Sequence, residues 1–281
     1  ALPISADGSL SATQYAGIYQ GIEGFNVADL GWGSANAKTV TLSFWVRSSL
    51  TGTFGGSFRN NANNRSYPFT YSISVADTWE QKTVTVSGDT SGTWTTDNTA
   101  GIKLFFSLGV GTTYSGTAGA WAGSNFLSAT GAVSVIGTLN ATFYITGVQL
   151  EVGSTATPFE QRLYGTELAL CQRYYWRWTA GYSSHPIAVF QAYSSSAAWG
   201  KLFDLPVPMR AVPTASTSGS FASTNAGASA LSNFSSTNIA QNTTGMLATG
   251  AWTGSSGLVA GNATVVRSEE HTSELQSHSF I

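Results

Sequence analysis

Trp45 and Arg47 stand two residues apart in the run TVTLSFWVR, on the parity opposite Val40, Leu42, Phe44 and Val46. Side chains alternate across a strand, so an indole and a guanidinium emerge together from the face that is not core. A flat aromatic surface beside a polar donor is the chemistry that stacks on a pyranose ring and orients its hydroxyls. An exposed Trp on a sheet face also needs a covering or a ligand. Trp32, Tyr114 and Trp121 lie in segments that read as loops, and Arg59, Asn60 and Arg65 supply polar neighbours. For each of these residues the alternative to sugar contact is ordinary packing, and Trp45 has residues 109–140 or a second subunit as alternative coverings.

Other chemistry has little to work with. His185 is the single histidine before residue 267, set before Pro186 in a Tyr-Ser-Ser turn. That leaves neither a histidine-rich metal site nor a hydrolytic triad to be built. Cys171 is the one cysteine, so there is no disulfide framework, and it reads as a small buried hydrophobe. Glycoside hydrolysis needs two carboxyl groups about 5 to 10 Å apart. No motif pairs any two here, and Asp77, Asp89 and Asp97 sit where a turn or cap accounts for them. The expectation is a protein without a catalytic site.

The elements that must position the aromatics are strands. Charged residues make up 9% of the chain where about 25% is usual, while 42% is hydrophobic and 12% aromatic. This composition is too apolar for simple disorder. Residues 13–24 read as an early strand and 26–33 as a loop or helical turn. Phe54 and Phe58 give a strand parity, as do Tyr67, Phe69, Tyr71 and Ile73, then Val84 and Val86. Ile102, Leu104, Phe106 and Leu108 alternate with Lys103, Phe105 and Ser107. Strands at intervals of roughly 10 to 20 residues with turn signals between them predict an antiparallel sandwich. Gly109 to Asn140, rich in Gly, Ala and Ser, reads as a long excursion over one sheet.

In ATFYITGVQLEV the parity switches, Phe143 and Ile145 sharing one phase and Val148, Leu150 and Val152 the other. A bulge at Thr146-Gly147 returns all five to one core. Ser154 to Pro158 reads as a joint, after which Thr166 is placed to N-cap a helix carrying Leu168, Cys171 and Tyr175 on one face.

GVQLEVGSTATPFE followed by R.YGTELALCQRYY resembles the join found in many bacteriophage tail and tail-fibre proteins, with Leu163 standing where proline is expected. The likeness is specific over 145–175, looser over 13–144 and weaker over 176–266. It implies an all-β chain: an antiparallel jelly-roll sandwich of the carbohydrate-binding-module type (1–160), a linker and connecting helix (161–178), and a smaller β-rich domain (179–266). It further implies a virion tail protein, extracellular, associated with other tail subunits as a homotrimer and binding a cell-surface polysaccharide or glycoprotein. The alternatives are a binding module of a secreted bacterial glycosidase and a structural tail spacer. Jelly-roll modules often hold a structural calcium through an acid in the last strand, but Gly147 and Gln149 stand there instead, so no cofactor is expected.

From Ala211 to Val266 no charged residue occurs. Recurring apolar residues among turn signals predict short strands there rather than a linker. RSEEHTSELQSH, from Arg267, resembles the translation of a sequencing adapter, so 267–281 is expected to make no packed contacts and the second domain to lack its last strands. Without that tail the chain carries 11 basic and 11 acidic residues. With no basic stripe, nucleic acid is not an expected partner. With no apolar run near 20 residues, no helical membrane span is expected either.

Overall fold

The computed structural model describes residues 6–178, and beyond them 185–194, 197–212, 214–217, 220–225, 228–233, 239–241, 245–250, 263–270 and 273–276. Contacts divide the chain between Gln161 and Arg162 into two units.

The first unit is an antiparallel β-sandwich. Its strands are β1 (Tyr15–Glu23), β2 (Val40–Ser48), β3 (Gly52–Arg59), β4 (Ser66–Ile73), β5 (Glu80–Val86), β6 (Ala100–Val110), the two-residue pair β7 (Ser115–Gly116) and β8 (Ser128–Ala129), and β9 (Phe143–Val152). One sheet runs β1-β6-β3-β4 and the other β5-β2-β9. The alternations predicted from sequence fall on the shared interior: Phe44, Val46, Phe54, Phe58, Phe69, Ile73 and Leu104 are buried in one cluster. Interdigitated aromatics dominate it, with Phe44 meeting Tyr71 and Phe106 edge-to-face at 4.9 and 5.0 Å. Such pairs add to the area they bury.

The bulge in β9 forms where the parity switches. Ser43 opposes Gln149 while Trp45 opposes Thr146, so Gly147 and Val148 together face Phe44. Gly147 has φ +58°, the left-handed region that costs a residue with a Cβ roughly 1–2 kcal/mol. Phe143, Ile145, Val148 and Leu150 consequently pack on the core. Val152 does not: it is 55% exposed, because it ends the strand and opposes only Val40 at the sheet's margin. Gly147→Ala is expected to destabilise the sandwich by about 1–2 kcal/mol, read as a lowered urea midpoint. A change within about 0.5 kcal/mol, the range of ordinary surface substitutions, would mean that the bulge relaxes freely.

The excursion 109–140 lengthens the edge of β4 and then crosses the sheet. Ser66 and Ala122 exchange backbone bonds of 3.0 and 2.8 Å, and Gly119 N–H donates to the Pro68 carbonyl at 2.9 Å. It then turns inward, burying Leu127 and Ala129. The joint after β9 is pinned to the outer face of the other sheet. The Glu160 N–H donates to Gln149 Oε1 at 2.8 Å, and the Thr157 N–H donates to Glu151 at 3.0 Å. The residues of VQLEVGSTATPFE are thus explained as a strand holding its own exit.

The second unit opens with α1 (Tyr164–Gln172), which starts at Leu163 and not at Thr166, with no side-chain cap and no buried residue. Cys171 is exposed, which corrects its reading as a buried hydrophobe, and Leu168 is 39% exposed. The early start follows from Leu163, whose carbonyl takes the N–H groups of both Thr166 and Glu167. The strands that follow are β10 (Tyr175–Trp178), β11 (His185–Ser194), β12 (Ala197–Asp204), β13 (Thr214–Thr217), β14 (Ser220–Asn225), β15 (Ala228–Asn233), β16 (Ile239–Gln241), β17 (Gly245–Gly250), β18 (Ala263–Glu270) and β19 (Ser273–Gln276). They pair antiparallel as β15-β14-β18-β11-β12-β17-β16 and β10-β19-β13. His185 begins β11 rather than lying in a turn.

The tail expectation is corrected over the described residues. Arg267 opposes Pro186 and Ala222, and Ser268 opposes His185 and Phe221, while Ser273–Gln276 pairs on both sides. The reason is backbone pairing. Neighbours flanking β18 offer N–H and C=O groups past Val266, and a chain running between them satisfies these groups whatever its side chains.

Candidate functional site

The outer face of the β1-β6-β3-β4 sheet carries an open groove of about 600 Å³, lined by residues that include Tyr15, Tyr19, Arg59, Asn63, Lys103, Phe105, Tyr114 and Asn125. Its floor follows from register. Tyr19 opposes Phe105, Phe105 opposes Ser57, and Lys103 opposes Arg59, so all emerge on the side away from the core. Gly17 makes the floor possible, since a Cβ there would lie 2.1 Å from the Phe105 ring. The excursion supplies a wall through Tyr114, Asn125 and Leu127. Tyr15 locks wall to floor, edge-to-face with Tyr114 at 5.1 Å and with Phe105 at 6.2 Å.

The polar groups are fixed donors. Arg59 Nη1 donates to Asn125 Oδ1 at 2.7 Å and Asn63 Oδ1 at 3.3 Å, its guanidinium carbon lies 5.8 Å from the Phe105 ring centre, and its Nε is buried without a partner. Lys103 Nζ donates to the Asn61 carbonyl at 2.7 Å and Asn63 Oδ1 at 3.1 Å. Burial pushes the Lys103 ammonium below its ordinary range, and neighbouring Arg59 pushes the same way. Burial also lowers Arg59, offset in part by Tyr19, Tyr15 and Tyr114. The Tyr19 phenol is raised by burial against the pull of Arg59, so it remains a neutral donor. Aromatic faces framed by oriented donors can stack a sugar ring and hold its hydroxyls.

The six residues singled out from sequence fall in three places. Arg59 and Tyr114 meet in the groove. Trp45 and Arg47 lie on the outer face of the opposite sheet, where Trp45 is 41% exposed. Arg47 sits 5.5 Å from the Tyr144 ring centre and 3.7 Å from Asp77, and Tyr144 lies 6.4 Å from Trp79. Trp32 and Trp121 belong to neither face. Trp32 is buried and packs on Phe58, Trp94 and Trp121, while Trp121 donates to the Ser87 carbonyl at 2.8 Å. Of their polar neighbours, Arg65 is committed to Asp89, and Asn60 is buried, its Oδ1 taking the N–H groups of Asn64 and Arg65. Asp89 is therefore the buried half of an ion pair with the partly exposed Arg65 and more than a turn residue, whereas Asp97 caps Thr99 as its position implies.

Sequence reasoning passed over Tyr15, Tyr19, Lys103 and Phe105 as site residues. A signal existed in YAGIY, where Tyr15, Gly17 and Tyr19 share one parity. Among the described residues no three His, Cys, Asp or Glu side chains cluster as a metal site. No protein-family model matches the chain, and no curated protein matches it.

Proposed function

We propose that this chain is a non-catalytic adhesin of a bacteriophage tail that binds a cell-surface glycan in the groove over β1, β6 and β3. One observation carries the binding part: three tyrosines, an arginine and a lysine converge in a concavity of about 600 Å³ on a rigid sheet, with no carboxylate in the lining to serve as acid or nucleophile. The virion part rests on the resemblance of residues 145–175 to phage tail joins. Jelly-roll kinship, tail-subunit partners and a homotrimer belong to the same proposal.

A glycan array probed with the full chain should return a binder. Tyr19→Ala and Tyr114→Ala should each weaken it at least about tenfold, the loss typical of a hot-spot aromatic, with Trp45→Ala within about twofold of the parent. The exposed rings of Trp45, Trp79 and Tyr144 favour a second reading, a flat sugar platform on the opposite sheet, and a reversed pattern would establish it. No binder from a folded chain would leave the sandwich as a tail spacer. Neighbouring genes for baseplate or tail proteins would separate the adhesin from a module of a secreted glycosidase.

A further inference from the structure

We infer that the groove is specific for acidic saccharides, a carboxylate or sulfate on the pyranose sitting against Arg59 and Lys103. This narrows the glycan-binding reading and rests on it.

The argument begins with an arrangement that costs stability in the free protein. Arg59 and Lys103 are directly opposed on neighbouring antiparallel strands, and such pairs bring Cβ atoms to about 5 Å, where like charges repel. Arg59 is only 8% exposed, so water screens the repulsion poorly. Elsewhere in the sandwich the cations face acids: Lys38, Arg47, Arg65 and Lys82 each have a carboxylate within 3.7 Å. Arg59 and Lys103 instead hold neutral oxygens, from Asn125, Asn63 and the Asn61 backbone. Those bonds fix both cations in the groove floor without cancelling their charge. The lining contributes no acid.

An anion placed between them would remove the repulsion. A guanidinium offers a planar fork to a carboxylate or sulfate, and an ammonium adds a point charge. The tyrosine faces set the rest of the ligand as a ring that stacks, with Tyr19 and Tyr114 hydroxyls available to its hydroxyl groups. Two cations suit one anionic substituent on a sugar, whereas a phosphate chain calls for a continuing basic track.

The test is titration calorimetry on the full chain with trigalacturonate and its neutral methyl ester, a hyaluronan tetrasaccharide, trisialic acid and a sulfated galactose trisaccharide with its desulfated form. At least one acidic probe should bind, at least about tenfold tighter than its neutral counterpart. Raising sodium chloride should weaken the acidic probe and leave the neutral one unchanged. Lys103→Gln, at a half-buried position, should weaken the acidic probe far more than its neutral counterpart, bringing the two affinities to within about twofold of each other. Arg59→Gln, checked for folding by circular dichroism, should do the same. Equal binding of an acid and its neutral form would overturn the charge inference while leaving glycan binding intact. Binding to neutral array sugars but to no acidic probe would do likewise. No binding to any saccharide, acidic or neutral, would overturn both. Preferential binding of oligothymidylate would overturn the saccharide class.

Discussion

Asp89→Ala is expected to destabilise the sandwich by about 1.5–3 kcal/mol, the cost of losing buried hydrogen bonds to a charged group. Asp89 is 1% exposed, and its two oxygens take the Arg65 Nε and Nη2 donors at 2.7 and 2.6 Å. Removing the carboxylate leaves the partly exposed Arg65 guanidinium to water and strips the buried end of the pair of both its bonds. The pair also joins two loops: Arg65 follows the turn organised by Asn60, while Asp89 accepts from the Ser91 N–H at 3.1 Å. Its backbone carbonyl takes the Gly33 N–H at 2.7 Å. A fall of the thermal transition on the order of 5–10 °C should follow for a unit of this size. Replacing both partners by apolar residues, as in Arg65→Met with Asp89→Leu, should recover much of the loss, since burying the Asp89 charge was itself costly. A single mutant within about 0.5 kcal/mol of the parent, the range of ordinary surface substitutions, would show that the loops hold without the pair.

Trp32→Ala should lose about 3–5 kcal/mol, the range for emptying a core Trp site, while the glycan affinity of the folded protein stays unchanged. Trp32 is buried, its indole N–H donates to the Lys38 carbonyl at 2.8 Å, and its ring meets Trp94 and Trp121 edge-to-face at 4.8 and 5.3 Å. Truncation removes three aromatic contacts and leaves a carbonyl to find water. Urea denaturation followed by fluorescence reads the stability, and the glycan array binder reads the affinity. A stable Trp32→Ala protein with weakened binding would return this residue to the ligand site.

The sandwich was legible because burial writes a period of two into the chain. Val40 to Val46, Tyr67 to Ile73 and Ile102 to Leu108 each announce their inner face, and the lost phase between Ile145 and Val148 announces a bulge that only a residue such as Gly147 adopts cheaply. Exposure of Trp45 was legible for the same reason, since parity is a local property. The helix start was less so, because no side chain caps it and Leu163 serves through its backbone alone.

What parity does not contain is which outward faces become neighbours. Tyr19, Phe105 and Arg59 each point away from the core by their own strand's count. They share a groove because β6 runs between β1 and β3, an order set by long-range pairing across some eighty residues of chain. Trp32 and Trp121 read as loop aromatics, since a loop has no period to reveal its inner side, and tertiary packing closed them against Phe58 and Tyr67. The residues after Val266 read as foreign from composition, yet strand pairing acts through backbone groups that composition does not register. Sequence alone determined the sandwich, its bulge and an exposed Trp45. Tertiary structure decided which side chains meet, because a binding site is a contact between strands and not a property of any one of them.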